Sequence, residues 1–144
     1  MNKQKQILCH SISMVWNKCL NIINNNIFYI FMAKYLILLT KDDKNTLEMA
    51  LEFSKVLKMS GAEDIKICFT LEGIKALNKE NEEYNLIISK HLEDMKNLNI
   101  NIYACEKCMV KFNIPEEKLI YKDKIFSYEE MNKLVDQGYA IITF

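Results

Sequence analysis

The sequence predicts an α/β domain over residues 32–144, a mainly parallel five-stranded sheet with helices on both faces. Three observations predict it. Short apolar runs alternate along the chain with longer segments of helical periodicity, the pattern of strand–helix–strand crossovers. The first run, Leu36–Leu39, is apolar without alternation, as a strand buried on both faces requires. Half of the 144 residues are apolar while only three are glycine and one is proline, which is enough to build a core and too few breakers for a low-complexity chain.

The elements follow in order. Thr40 ends the first strand, and Lys41–Asn45 is a polar turn. Asp43 or Asn45 caps the next helix, with Glu48 three residues after Asn45 as in a capping box. Leu47, Ala50, Leu51, Ser54 and Leu57 form one helical face, and Gly61 closes the segment. Ile65–Thr70 is a second strand, in which Ile65, Ile67 and Phe69 alternate with Lys66 and Cys68. Leu71–Leu77 is a short helical piece. Glu82–Asn97 is a longer helix that places Tyr84, Ile88, His91, Leu92 and Met95 on one side. Ile100–Ala104 is a third strand and Cys105–Phe112 a helical turn or short helix. Leu119–Tyr121 is expected as a brief fourth strand. Ser127 and Glu130 form a capping box that opens a helix through Val135. Gly138 stops it, and Tyr139–Phe144 is the last strand. In open parallel sheets the chemistry sits beyond the carboxyl ends of the strands. Those ends are expected at Thr40, Thr70, Ala104–Cys105 and Tyr121. Strand order is not readable from the sequence.

Residues 1–31 do not conform to the rest. They hold three lysines and no acidic residue, and asparagine runs from Asn24 to Asn26. Met32 is followed at once by Ala33, Lys34, Tyr35 and the first apolar run, so Met32 reads as the start and residues 1–31 as translated upstream sequence. A targeting segment is disfavoured because Cys9, His10, Ser11 and Ser13 break the apolar stretch and no small-residue cleavage site follows. A membrane span over Ile22–Leu39 is disfavoured because Asn24–Asn26 and Lys34 interrupt it. A loosely held helical arm is the remaining alternative. No chemistry is placed in this extension.

The charge balance narrows the function. The 19 basic residues are matched by 19 acidic ones, so nothing steers the chain toward nucleic acid or an anionic membrane. All 19 basic residues are lysine, which removes bidentate guanidinium recognition of guanine or phosphate. There is no glycine-rich loop, nucleophile elbow or paired-carboxylate pattern.

Five cysteines at irregular spacing, Cys9, Cys19, Cys68, Cys105 and Cys108, do not form a secreted disulfide framework and point to a reducing, cytoplasmic compartment. Cys105 and Cys108 are the one constellation that carries chemistry. Cys105 follows a strand and opens a helix, where first-turn N–H groups and the helix dipole favour thiolate over thiol. Lys107 adds positive charge nearby and Glu106 opposes it. Cys108, one turn on, either reaches Cys105 to form a disulfide or turns inward as core. Cys68, inside an alternating strand, is core. For Cys105 exposure is expected, because such junctions lie at the open edge of the sheet. A structural zinc site needs about four ligands and one CxxC supplies two, with His91 on another helix, so no metal is expected. A thioredoxin-like dithiol is the sharper rival, although that motif follows the first strand of its fold and this one follows the third. His91 reads as a satisfied, half-buried helix residue. Asp42 and Asp43 read as capping residues that could also line the site.

The order of these segments resembles the DsrE/DsrF-like family of sulfur-relay proteins, the TusD/DsrE type. The resemblance is carried by the strand and turn of Tyr35–Leu51, by the strand with its glycine–aliphatic short helix in Ile67–Leu77, by the strand of Leu98–Cys105 ending in cysteine, and by the closing helix and strand of Met131–Phe144. It covers residues 32–144 and none of 1–31. It implies a three-layer α/β/α sandwich and a homo-oligomer, trimer or hexamer. It also implies that Cys105 carries persulfide sulfur between donor and acceptor proteins, as a sulfurtransferase without metal or organic cofactor. Cys108 matches a second cysteine found in some subgroups. One departure is Asn113, where many relatives have glycine; asparagine tolerates the left-handed backbone such a turn needs. Two alternatives stay open. One is a catalytically silent oligomeric scaffold or regulatory subunit of the same fold. The other is a CxxC thiol–disulfide protein.

Overall fold

The computed structural model describes residues 33–144. The 1–31 extension and its boundary at Met32, with Cys9, His10 and Cys19, lie outside the described residues. Five parallel strands form one sheet: β1 (Lys34–Leu39), β2 (Asp64–Phe69), β3 (Asn101–Cys105), β4 (Lys124–Phe126) and β5 (Tyr139–Thr143). Their spatial order is β4-β3-β2-β1-β5. The chain steps outward from β1 to β4 and then returns across the sheet to place β5 beside β1. The first strand is therefore interior, between β2 and β5, and Leu36, Ile37 and Leu39 are fully buried.

The register divides the side chains between two faces. Tyr35, Ile37 and Leu39 lie beside Ile65, Ile67 and Phe69, and these in turn beside Ile102 and Ala104. Right-handed crossovers from β1 to β4 all fall on this face. They bring α1 (Lys44–Met59) and α2 (Glu82–Asn97) into contact with each other. The return crossover runs the other way and puts α4 (Tyr128–Asp136) on the opposite face. There, Tyr103, Phe126, Glu130 and Leu134 line a cavity of about 220 Å³ between sheet and helix. The three layers and the parallel sheet are as the sequence predicts.

Local chemistry sets the helix ends. Asp43, and not Asn45, caps α1: its Oδ2 accepts from the Thr46 amide at 2.7 Å and the Thr46 hydroxyl at 2.6 Å. Ser127 and Glu130 make the expected capping box at α4, with the Glu130 amide donating to Ser127 Oγ at 3.3 Å and the Ser127 amide donating to Glu130 Oε2 at 3.0 Å. Ser127→Ala should therefore lower stability by about 1 kcal/mol, read as a shifted urea midpoint with unchanged slope.

The fourth strand corrects the sequence reading. Leu119–Tyr121 is not a strand of the sheet. Pro115 leads into a 3₁₀ turn over Glu116–Lys118, and Leu119 then meets Asn78 in an isolated antiparallel bridge. The strand that joins β3 is Lys124–Phe126. Its register is set by Asp123, whose amide donates to the Ile102 carbonyl at 2.8 Å while its Oδ2 accepts from the Ile102 amide at 2.7 Å. This pair of hydrogen bonds to one residue sets Tyr103 opposite Lys124 and Cys105 opposite Phe126. The carboxyl end of the strand moves from Tyr121 to Phe126, which brings Tyr128 to the edge where the cysteines lie.

Candidate active site at the cysteine pair

Cys105 is the last residue of β3 and the residue before α3 (Glu106–Lys111). Cys108 lies inside that helix, and its sulfur is the point on which three elements converge. The Leu71 amide, just past β2, donates to Cys108 Sγ at 3.0 Å. Thr70 Oγ1 lies 3.4 Å from the same sulfur, and the Tyr128 hydroxyl from the start of α4 lies 4.0 Å away. Leu71 adopts a left-handed backbone with φ of 49°, a conformation that disfavours residues with a β-carbon. That strain turns its N–H onto the sulfur, and strain of this kind concentrates at functional positions.

Burial and hydrogen bonding shift the two thiols in opposite directions. Cys105 is only 2% exposed and Cys108 3%, so the open Cys105 expected at the sheet edge is not found. The reason is local. The turn at Thr70–Leu71 closes over the pair from β2, and Tyr128 closes it from α4. Burial pushes the Cys105 thiol up, and neighbouring Cys108 adds to this, against weaker opposing effects of the Cys108 amide and the Thr70 hydroxyl. For Cys108 burial also acts upward, but donation from Cys105, Thr70, the Leu71 amide and Tyr128 outweighs it, and the net shift is downward. The two thiols titrate as a pair, and the hydrogen bonding favours the anion on Cys108 over Cys105. Tyr128 is pushed up to about 12 by burial and by the adjacent cysteines, so its hydroxyl stays a donor.

The remaining candidates fall elsewhere. Cys68 is fully buried in β2, as its alternating position implies, and burial drives its thiol far up. His91 is 1% exposed, more deeply buried than expected, with Nε2 3.2 Å from Glu48 Oε1 and Nδ1 3.4 Å from Glu52 Oε1. It groups with those two carboxylates and not with the cysteines. Asp42 accepts from the Tyr84 hydroxyl at 2.6 Å and pairs with Lys75 at 3.7 Å, while Asp43 serves as the cap of α1. Lys107 lies over the Tyr128 ring, 5.3 Å from its centre. Sequence reasoning missed Leu71 and Tyr128 as site residues. A fourth strand placed at Lys124–Phe126 would have exposed Tyr128, because it follows at once on the carboxyl edge.

A parallel α/β domain whose third strand runs into a helix through a pair of hydrogen-bonded cysteines defines a class of thiol-bearing proteins. Within that class the chain belongs to the DsrE/DsrF-like family, whose family model matches residues 33–144. Solved structures share the fold. MTH1491, a protein of unknown function from Methanobacterium thermoautotrophicum, has 15% identity and a TM-score of 0.65, covering 78% of this chain and 99% of its own. The ychN protein of E. coli has 19% identity and a TM-score of 0.61, with 78% and 99% covered. BT1422 from Bacteroides thetaiotaomicron, of unknown function, has 21% identity and a TM-score of 0.59, with 77% and 94% covered. No curated protein matches the chain. Among the described residues no helix is long and apolar enough to cross a membrane.

Proposed function

We propose that the domain is a sulfur carrier that holds persulfide sulfur on Cys105 and passes it from a donor to an acceptor protein. The observation that carries this reading is the set of three donors on Cys108 Sγ beside Cys105. A sulfur whose thiol those donors hold below its ordinary value is a base for the neighbouring Cys105 thiol. As Cys105 attacks the terminal sulfur of a donor persulfide, its proton passes to Cys108. The donor S–S bond breaks, and the departing thiolate recovers that proton. Cys105 is left as a persulfide and Cys108 returns to its anionic form. An acceptor thiolate then attacks the terminal sulfur and restores Cys105. The step is driven by differences between thiols and draws on no metal or organic group.

The family resemblance adds a homo-oligomer working in the cytoplasm. A stripe on α1 supports the oligomer, because Met49, Phe53, Val56 and Met59 repeat at helical spacing and are exposed. The burial of both sulfurs favours the competing scaffold reading, in which the pair never meets a substrate. The two readings separate on exposure of the protein to a low-molecular-weight persulfide. A carrier takes up one sulfur, read as about 32 Da on the peptide containing Cys105 in Cys108→Ser and, in the wild-type chain, as that adduct or as the Cys105–Cys108 disulfide it leaves behind. A scaffold gains nothing.

A further inference from the structure

We propose that the same site also discharges its sulfur reductively: Cys108 attacks persulfidated Cys105, hydrosulfide leaves, and the resulting Cys105–Cys108 disulfide is reopened by an external dithiol. This rests on the sulfur-carrier reading and adds an activity to it, persulfide reduction.

The geometry that points to it is the polarity of the pair. Cys105 precedes α3 and Cys108 is its third residue, so both sulfurs belong to one helical turn. The Cys108 amide and Thr70 also act on the first cysteine, but more donors act on the second, and its thiol is the one lowered. The Leu71 amide, Thr70 and Tyr128 all address Cys108. The sulfur prepared as a nucleophile is therefore the one that faces the carrier, not the one that carries.

Access decides between the two fates of the bound sulfur. A protein acceptor must bring its thiol to a residue that is 2% exposed, whereas Cys108 is already beside it and equally enclosed. Intramolecular attack by a held group enjoys a large advantage in effective concentration over any docking partner. The same sulfur that takes the Cys105 proton during uptake competes with every acceptor once the persulfide has formed.

The bonds and electrons balance. Cys108 thiolate attacks the inner sulfur of the Cys105 persulfide, forming the Cys105–Cys108 bond. The bond to the outer sulfur breaks, and that sulfur leaves with the electron pair as hydrosulfide. The outer sulfur is reduced and the two cysteine sulfurs are oxidised. A dithiol then reduces the disulfide by exchange, becoming a cyclic or protein disulfide itself. Over one cycle a persulfide and a dithiol become a thiol, hydrogen sulfide and a disulfide.

The test is a single turnover of the full chain, without air or reductant, with one equivalent of glutathione hydropersulfide. Protein mass and released hydrosulfide are measured together. Wild-type protein should release about one equivalent of hydrosulfide and end about 2 Da lighter than the reduced chain, with Cys105 and Cys108 linked. Added dithiothreitol should restore the reduced mass. Cys108→Ser, incubated to completion, should keep about 32 Da on Cys105 and release none above the protein-free control. A wild-type chain that keeps a stable sulfur adduct with Cys108 free overturns reductive release and leaves the carrier intact. Wild-type protein that takes up no sulfur and forms no disulfide overturns both. The wild-type mass alone decides the matter if the variant does not fold.

Discussion

Gly73→Ala is expected to destabilise the domain by about 3 kcal/mol or more, at the upper end of what overpacking a core costs. The reason is a close approach of two backbones, not a turn. A β-carbon at Gly73 would lie 2.2 Å from the Leu39 carbonyl oxygen and 2.7 Å from its carbon. That oxygen cannot retreat, because it accepts from the Thr70 amide at 3.0 Å and belongs to a strand paired on both sides. The 3₁₀ helix over Leu71–Leu77 would have to lift off the end of β1, and with it Ile74 and Leu77, both fully buried. Against a total stability of roughly 5–15 kcal/mol the loss is large. Urea unfolding measures it. A loss below about 1 kcal/mol would show that the segment can yield, contrary to the packing described. The variant bears on chemistry as well, since Thr70 and Leu71 lie at the start of the displaced segment.

Cys105→Ser is expected to abolish sulfur uptake, while Cys108→Ser slows it about 100-fold, the scale of losing a positioned base. The asymmetry follows from the division of roles. Serine at 105 has no sulfur on which a persulfide can form, whatever base stands beside it. Serine at 108 leaves the carrier in place but removes the group that takes its proton. The time course of the mass increase with a persulfide donor reads both rates. Equal uptake by both variants would place the sulfur on neither cysteine, and uptake lost only in Cys108→Ser would exchange their roles.

Much of the fold was legible because it rests on local signals. The helix over Glu82–Asn97 and the short helical piece over Leu71–Leu77 fall on the residues where periodicity places them. The Ser127–Glu130 box opens its helix, and Asn113 sits at φ of 52°, the left-handed turn asparagine tolerates. The fourth strand was not legible. Lys124–Phe126 is three residues long and its position depends on Asp123 bonding to Ile102, a partner 21 residues away. Strand order escaped for the same reason. The site divides along that line. Cys105 and Cys108 stand out by spacing, but the direction of charge between them depends on Thr70, Leu71 and Tyr128, which reach Cys108 from other parts of the chain. The helix-terminus argument favoured a thiolate on Cys105. The folded chain brings its donors to the other sulfur.

The most direct test of this account is the pH dependence of alkylation at the pair, followed residue by residue by mass spectrometry. Dependence on pH, unlike absolute rate, is set by ionisation and not by how deeply the sulfur lies. The account predicts that Cys108 labels through a thiolate that forms below the ordinary thiol value and is lost as pH falls through that lowered point. Tyr128→Phe and Thr70→Val should each move the point upward. If Cys108 labels only at or above the ordinary thiol value, and neither substitution moves it, the donors do not hold a charge there and the chemistry assigned to the pair is wrong.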